Sequence, residues 1–459
     1  MLKETQGEDV YSKDYEESCT FVSLLKACAK KKDIDNGTRL HTDILKRELL
    51  KNNPYLATSL INMYAKCGVL EKAQQVLEDL PIRNVISWSA LISGYVQHGQ
   101  GCKALICFER MRSEGHSPDA ITFMCILQAC GSTGAVHKGQ EIHEEIANMG
   151  FLAKHIMLGT ALVDMYVKCG LLAKAKQVLE ELPFRNVVTW NVIITGYAQQ
   201  DQGHAALNCF EQMRNEGVSP NAVTFICVLK ACGSSGAIDK GNEIHDEIVN
   251  KGLLENNVVL GTALVDMYAK CGALVKSQQM LDNLPNRNLV SWNALITGYA
   301  KKGKCHEALK CLEQMVNEGI PPNVVTFTCI LQACGKTRTI DEGKRIHKEI
   351  VRRNLLEKDV LLGNSLVDMY VKCGVLAEAQ QVLEALPIRN VVSWNALISG
   401  YTQHCRGHEA LNCFEQMQGE GLSPNGITFL CIVKACGSIG ALDKGKQIQE
   451  EVVSRGLLE

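Results

Sequence analysis

Apolar residues along the chain cluster in blocks of helical spacing, two blocks to a segment, with a short break between them. In the stretch LGTALVDMYVKCGLLAKAKQVLEELP, the first block holds Ala161, Leu162, Met165 and Tyr166. The second holds Leu171, Ala173, Ala175, Val178, Leu179 and Leu182. A period near 3.6 residues brings such positions onto one helix face. Cys169-Gly170 separates the blocks, and glycine there suits a left-handed helix stop. Pro183 closes the second block and Pro220 stands in the same place one segment later, each predicting a helix end. No alternating run survives beyond a few residues, so strands are not expected. Each segment reads as helix, tight turn, helix. A single hairpin cannot cover both of its apolar faces, but stacked neighbours can. The predicted fold class is therefore all-α, an α-solenoid of stacked helix-turn-helix repeats.

The segments repeat. Trp88, Trp190, Trp292 and Trp394, all four tryptophans of the chain, recur every 102 residues inside NVISWSALISGY, NVVTWNVIITGY, NLVSWNALITGY and NVVSWNALISGY. Each 102-residue unit divides into pieces of 36, 31 and 35 residues. From Ser18 they tile without gaps as 18–53, 54–84, 85–119, 120–155, 156–186, 187–221, 222–257, 258–288, 289–323, 324–359, 360–390, 391–425 and an incomplete 426–459. An acidic segment, 1–17, precedes them. A solenoid normally ends in a polar cap. Its absence after 426–459 is expected to mean a truncated chain or a partner over that end.

Composition changes this picture little. The 459 residues carry a formal net charge of −2, so any basic surface must be local, with no steering field from the whole molecule. No run of about 18 apolar residues suggests a membrane span. Seventeen of the 21 cysteines recur at the 102-residue spacing on apolar stretches, where a free thiol acts as a small hydrophobe. No Cys-x-x-Cys occurs, so neither a zinc knuckle nor a redox pair is spelled out. The opening residues resemble neither a secretory nor a transit signal, which on its own points to cytosol or nucleus, or to a missing start.

The three piece types resemble the motifs of the plant pentatricopeptide-repeat (PPR) proteins of the P-L-S subclass. VVSWNALISGY…EALxCFEQM…SPN is similar to a P motif, ITFxCxLxACG…GxxIH to an L motif and LGTALVDMYxKCG…LP to an S motif. The resemblance covers 18–459, in the order L, S, P from residue 18. It implies a right-handed superhelix that binds single-stranded RNA, in a mitochondrion or chloroplast, in RNA processing such as C-to-U editing. It implies no cofactor. In that family the fifth residue of the first helix and the last residue of the motif select one base, and an apolar second residue wedges between bases.

Carried over, the P motifs give Ser89/Asp119, Asn191/Asn221, Asn293/Asn323 and Asn395/Asn425, and the S motifs Thr58/Asn84, Thr160/Asn186, Thr262/Asn288 and Asn364/Asn390. The family implies adenine for Thr with Asn, guanine for Ser with Asp, and a pyrimidine, C over U, for Asn with Asn. L motifs place Val22, Met124, Ile226 and Leu430 at the fifth position, which cannot discriminate; Thr328 with Asp359 is the exception and suits guanine. The wedges are Ile86, Val188, Val290 and Val392 in P motifs, and Tyr55, Met157, Val259 and Leu361 in S motifs. The expected target is 5′-A-G-n-A-Y-n-A-Y-n-Y-Y-3′.

Simpler readings stand beside these. Ser, Thr and Asn often cap helices, but the fifth residue sits inside the first helix, flanked by apolar neighbours. The motif-final Asn and Asp suit ordinary turns. Lys66, Lys168, Lys270 and Lys372 recur in the YxKCG turns, either as a phosphate ladder or as solvated lysines at helix C-termini. The tryptophans face about 100° from the fifth residue and are expected to pack between repeats. His41, His143, His245 and His347 are expected to be structural, although the last three begin His-x-Glu, part of a zinc-deaminase signature. No catalytic residues and no metal ligands are expected. An editing deaminase acting in trans is a further partner the resemblance suggests, and no membrane partner is expected. The alternative function is a protein- or peptide-binding helical scaffold.

Overall fold

The computed structural model describes residues 5–50, 53–255, 257–357 and 359–456, with side chains from residue 17 onward. They form twenty-six α-helices and one short 3-10 turn, with no strand among the described residues. Among the described residues no helix is long and apolar enough to cross a membrane. Two compact units divide between Val228 and Leu229, and each is a stack of helical hairpins.

Helix starts follow capping chemistry. Twelve first helices begin at Pro54, Val85, Ala120, Ile156, Val187, Ala222, Val258, Leu289, Val324, Val360, Val391 and Gly426, where the segments after the first begin. Around the earliest segment the backbone differs: one helix runs Thr5–Lys31, through residues 17 and 18 without a break. Residues 1–4, 51, 52 and 457–459 of the outer segments lie outside the described residues.

The turns match the sequence at Cys169-Gly170. Cys169 caps the helix Ile156–Lys168, and Gly170 takes φ +78°, where a Cβ is disfavoured. The next helix, Leu172–Glu181, stops before Pro183. Pro220 is different. The helix before it, Gly203–Asn215, already ends at a left-handed Gly217, so Pro220 lies in the linker. Leu171 and Ala173 also leave the expected face; Leu171 is the N-cap residue and both are exposed.

Within the first unit the helix Ile156–Lys168 packs on its partner Leu172–Glu181 and on the first helices Ala120–Thr133 and Val187–Gln199. In the second, Leu289–Lys301 packs likewise on Cys305–Asn317, Val258–Lys270 and Val324–Thr337. The first helices thus form the inner contact row. Trp88, Trp190 and Trp292 are at most 1% exposed there, which makes them packing residues. Burying an aromatic or branched side chain of this size contributes roughly 1.5–3 kcal/mol. Arginines before the S-motif ends fasten the next hairpin: Arg83 to Glu114 at 2.5 Å, Arg185 to Glu216 at 2.9 Å, Arg389 to Glu420 at 2.7 Å, and Arg287 to Glu318.

Candidate nucleic-acid interface

The fifth residue of each 35- and 31-residue segment lies one turn into its first helix. Hydroxyls there bond back along the helix: Thr58 Oγ1 donates to Pro54 O at 2.8 Å, Thr160 to Ile156 O at 3.2 Å, Thr262 to Val258 O at 2.8 Å and Ser89 to Val85 O at 2.7 Å. Thr160, Thr262, Ser89, Asn191, Asn364 and Asn395 are buried; Thr58 and Asn293 are half-buried.

Motif-final residues have a structural task that the sequence reading left as a turn. Asn84, Asn186, Asn288, Asn390, Asp119, Asn323 and Asn425 each N-cap the following helix through a side-chain oxygen. Asn221 does the same, accepting from Thr224 N at 3.0 Å. In six motifs the capping residue is also joined to the fifth residue of its own motif. Asn191 Nδ2 donates to Asn221 Oδ1 at 3.3 Å, Asn293 to Asn323 at 3.2 Å, Asn395 to Asn425 at 3.0 Å and Asn364 to Asn390 at 3.4 Å. Ser89 reaches Asp119 through Thr122: Ser89 Oγ lies 2.5 Å from Thr122 Oγ1, which donates to Asp119 Oδ1 at 2.7 Å. Thr160 is joined to Asn186 in the same way through Thr189, at 2.8 and 3.0 Å.

Because Oδ1 is taken by the cap, a motif-final Asn has its Nδ2 donor left over, whereas Asp119 has the acceptor Oδ2. The Asn and Asp pairs therefore present different hydrogen-bonding edges.

All eight expected wedge residues are exposed, from 48% at Val188 to 74% at Tyr55. The second residues of four L motifs, Ile121, Val223, Val325 and Ile427, are exposed as well. Sequence reasoning assigned wedges only to the P- and S-type pieces, although the same apolar second position is visible in the L-type ones. A cavity of about 660 Å³ is lined by Ile121, Met124 and Met157 together with Asp119 and His155. Thr328, the polar exception, has a buried Oγ1 with no partner, and Asp359 caps the helix Val360–Lys372.

The lysines are less free than a phosphate ladder suggests. Lys168 pairs with Asp164 at 2.7 Å, Lys270 with Asp266 at 2.6 Å and Lys372 with Asp368 at 2.6 Å, each one turn back on its own helix. Asn62 stands in that place before the exposed Lys66. The recurrent histidines face tyrosines. His41 Nδ1 lies 2.9 Å from Tyr64 OH, His143 3.0 Å from Tyr166, His245 2.8 Å from Tyr268 and His347 2.9 Å from Tyr370. Burial pushes each imidazole below its ordinary range. Among the described residues no group of His, Cys, Asp and Glu could hold a metal ion. All 21 cysteines are free thiols.

Comparison with known proteins gives this geometry a family. The PPR repeat family model matches residues 83–132, 185–234, 287–336 and 389–438, and a second PPR repeat model matches 56–85, 160–187, 223–253 and 325–355. A chloroplastic pentatricopeptide repeat-containing protein of Arabidopsis thaliana is 35% identical over 419 residues, 91% of this chain and 67% of that one. A second chloroplastic protein of this kind is 36% identical over 425 residues, 93% of this chain and 52% of that one. A mitochondrial one is 32% identical over 428 residues, 93% of this chain and 61% of that one. The chain thus spans between about half and two thirds of the length of these relatives. The crystal structure of the maize pentatricopeptide repeat protein PPR10 shares the fold, with a TM-score of 0.62 at 19% identity over 95% of this chain and 68% of that one. The repeated hairpins, the family matches that recur with them and the relatives matched over more than nine-tenths of this chain agree: the chain belongs to the pentatricopeptide repeat family.

Proposed function

We propose that this chain binds single-stranded RNA sequence-selectively, one base per motif, as a member of the P-L-S subclass. The observation that carries the reading is the joining of fifth and motif-final side chains in six motifs, four by direct hydrogen bonds and two through a bridging threonine. A cap gives these residues no reason to vary in what they leave exposed. Base readout does: motif-final Asn offers a donor to adenine, cytosine or uracil acceptors, and Asp119 offers an acceptor to the N–H groups of guanine. Exposed apolar second residues supply faces against which unstacked bases lie. The target is 5′-A-G-n-A-Y-n-A-Y-n-Y-Y-3′, read in parallel from Thr58/Asn84 to Asn395/Asn425, with guanine at the ninth base where Thr328/Asp359 sits.

The process served is organellar RNA processing, such as C-to-U editing with a deaminase supplied in trans, in a mitochondrion or chloroplast. The names of the relatives, chloroplastic and mitochondrial, support the compartment. Lys66, Lys168, Lys270 and Lys372 contact phosphates in this reading, the last three by exchanging Asp164, Asp266 and Asp368 for the backbone.

A second reading, a peptide-binding scaffold, draws on those same ion pairs and on the net charge of −2. Competition separates the two. The 11-nucleotide target is expected to displace a labelled copy far better than its scrambled version; equal displacement removes the base assignment, and no RNA binding favours the scaffold.

A further inference from the structure

Four motifs carry the same Asn/Asn pair, yet their amides are held differently. In two of them a third residue intervenes, the third position of the following motif. Thr326 Oγ1 donates to Asn293 Oδ1 at 2.7 Å, and Thr428 Oγ1 donates to Asn395 Oδ1 at 2.7 Å. Both threonines are 0% exposed. Each fifth-position amide is then fixed at both ends, its oxygen on the threonine and its nitrogen on Asn323 or Asn425. In the other two the oxygen is left alone. Asn191 Oδ1 and Asn364 Oδ1 are buried without a hydrogen-bond partner. Thr326 and Thr428 also lie 3.0 Å from Asn323 and Asn425 Oδ1, whereas Thr224 Oγ1 donates to Asn221 Oδ1 alone, at 3.1 Å, and Ser393 Oγ donates to the Asn390 carbonyl at 2.7 Å.

We infer that Thr326 and Thr428 are positioning residues that turn a general pyrimidine reader into a cytosine reader; the inference rests on the RNA-binding function proposed above. A locked amide has one N–H left, and the motif-final Asn has its own N–H pair, so the edge offered to the base is donor beside donor. Cytosine answers with adjacent acceptors, N3 and O2. Uracil places the N3–H donor between its two acceptors, so one of the locked donors meets a donor. Where the oxygen is not held, only the longer Nδ2 bond to Asn221 or Asn390, 3.3 or 3.4 Å, opposes turning the amide over to offer its oxygen to uracil N3–H. Asn293/Asn323 and Asn395/Asn425, at the eighth and eleventh bases, are therefore selective for cytosine. Asn191/Asn221 and Asn364/Asn390, at the fifth and tenth, accept both pyrimidines. The discrimination expected at a locked position is on the order of tenfold, the scale of one hydrogen bond left unmade.

The test uses the full chain and 11-nucleotide RNAs that differ only by C or U at one base. In the parent, C over U at the eighth and eleventh bases is expected to exceed the ratio at the fifth and tenth. Thr326→Val, nearly isosteric, is expected to bring the eighth-base ratio down to that of the fifth and leave the eleventh unchanged. Thr428→Val is expected to do the converse, and each variant serves as the folding control for the other. An unchanged ratio, or equal weakening of C and U, overturns the inference and leaves RNA binding in place, since a merely structural threonine gives the second result. Failure of the parent to bind any RNA overturns both this inference and the proposed function.

Discussion

Each motif-final asparagine has one oxygen and two N–H bonds, and the fold uses only the oxygen. Asn221 Oδ1 accepts from Thr224 N, which completes the start of the next helix. Replacing an N-cap Asn with Ala costs about 1 kcal/mol, whereas Ser keeps the cap. Asn221→Ser is therefore expected to melt like the parent and lose pyrimidine binding at the fifth base, while Asn221→Ala loses both; thermal melting and RNA titration on the two variants check this. A Ser variant that binds RNA as the parent does, at parental stability, returns Asn221 to the role of a cap alone. The cap was legible in the sequence, since Asn or Asp immediately before an apolar helical run is a helix-start signal. The fifth-position residues were legible for the opposite reason: a polar residue inside an apolar helix face has no capping use. The lysine pairing could also have been read, because Asp164, Asp266 and Asp368 stand four residues before their lysines, where helix neighbours meet. What no single position reveals is which amide oxygen meets which hydroxyl, because that depends on side-chain directions across two motifs.

Between elements, first helices approach closely where glycines face them. A Cβ on Gly94 would lie 2.7 Å from the Cβ of Ala65, an atom fixed to its own backbone, whereas a Cβ on Gly437 meets nothing within 4 Å. Gly94→Ala is expected to destabilise by about 1–3 kcal/mol through overpacking. Gly437→Ala, the same chemical change in another helix, is expected to stabilise by up to about 1 kcal/mol. Chemical denaturation of both variants gives the two signs, and a stable Gly94→Ala protein would mean the helices are not packed this closely. The hairpins were readable from apolar spacing, but this contact was not, because a glycine reads as a helix breaker until its neighbour is known.

The histidine–tyrosine pairs give a pH dependence at the same scale. Burial holds His41, His143, His245 and His347 below the ordinary imidazole value of 6.5, and Lys72, Lys174 and Lys276 push the first three further down. Asp79 opposes this at His41, Glu181 and Glu144 at His143, and Asp246 at His245. The folded protein binds these protons less readily than the unfolded chain, so their contribution is complete above 6.5 and is lost as pH falls through that value toward the folded ones. The melting temperature is expected to fall between about pH 7 and pH 5, a range in which the histidines are the side chains that ordinarily titrate. A variant with all four changed to Gln should show a flatter profile over that range; an unaltered slope would assign it to other groups.

On the scale of the whole molecule, charge gives little help to RNA binding. The chain has 48 Lys and Arg against 50 Asp and Glu, and three of the four turn lysines are ion-paired. Single-stranded nucleic acid loses affinity with a logarithmic salt slope of about −0.7 per phosphate contacted, so four lysine contacts correspond to roughly −3. A titration over several salt concentrations is expected to give a slope of that order, and a much steeper one would point to a basic surface not formed by these residues. Charge was legible from composition alone; the division into two compact units was not, because the repeat runs through Val228 and Leu229 without a change of pattern.

One binding measurement bears most directly on readout of one base by one motif. It compares the parent with Asn191→Thr, Asn221 unchanged, on two 11-nucleotide RNAs that differ only at the fifth base, cytosine or adenine. The parent is expected to prefer cytosine and the variant adenine, with the ratio of affinities reversing by about tenfold or more. A correctly folded variant that still prefers cytosine contradicts the assignment of that base to Asn191 and Asn221.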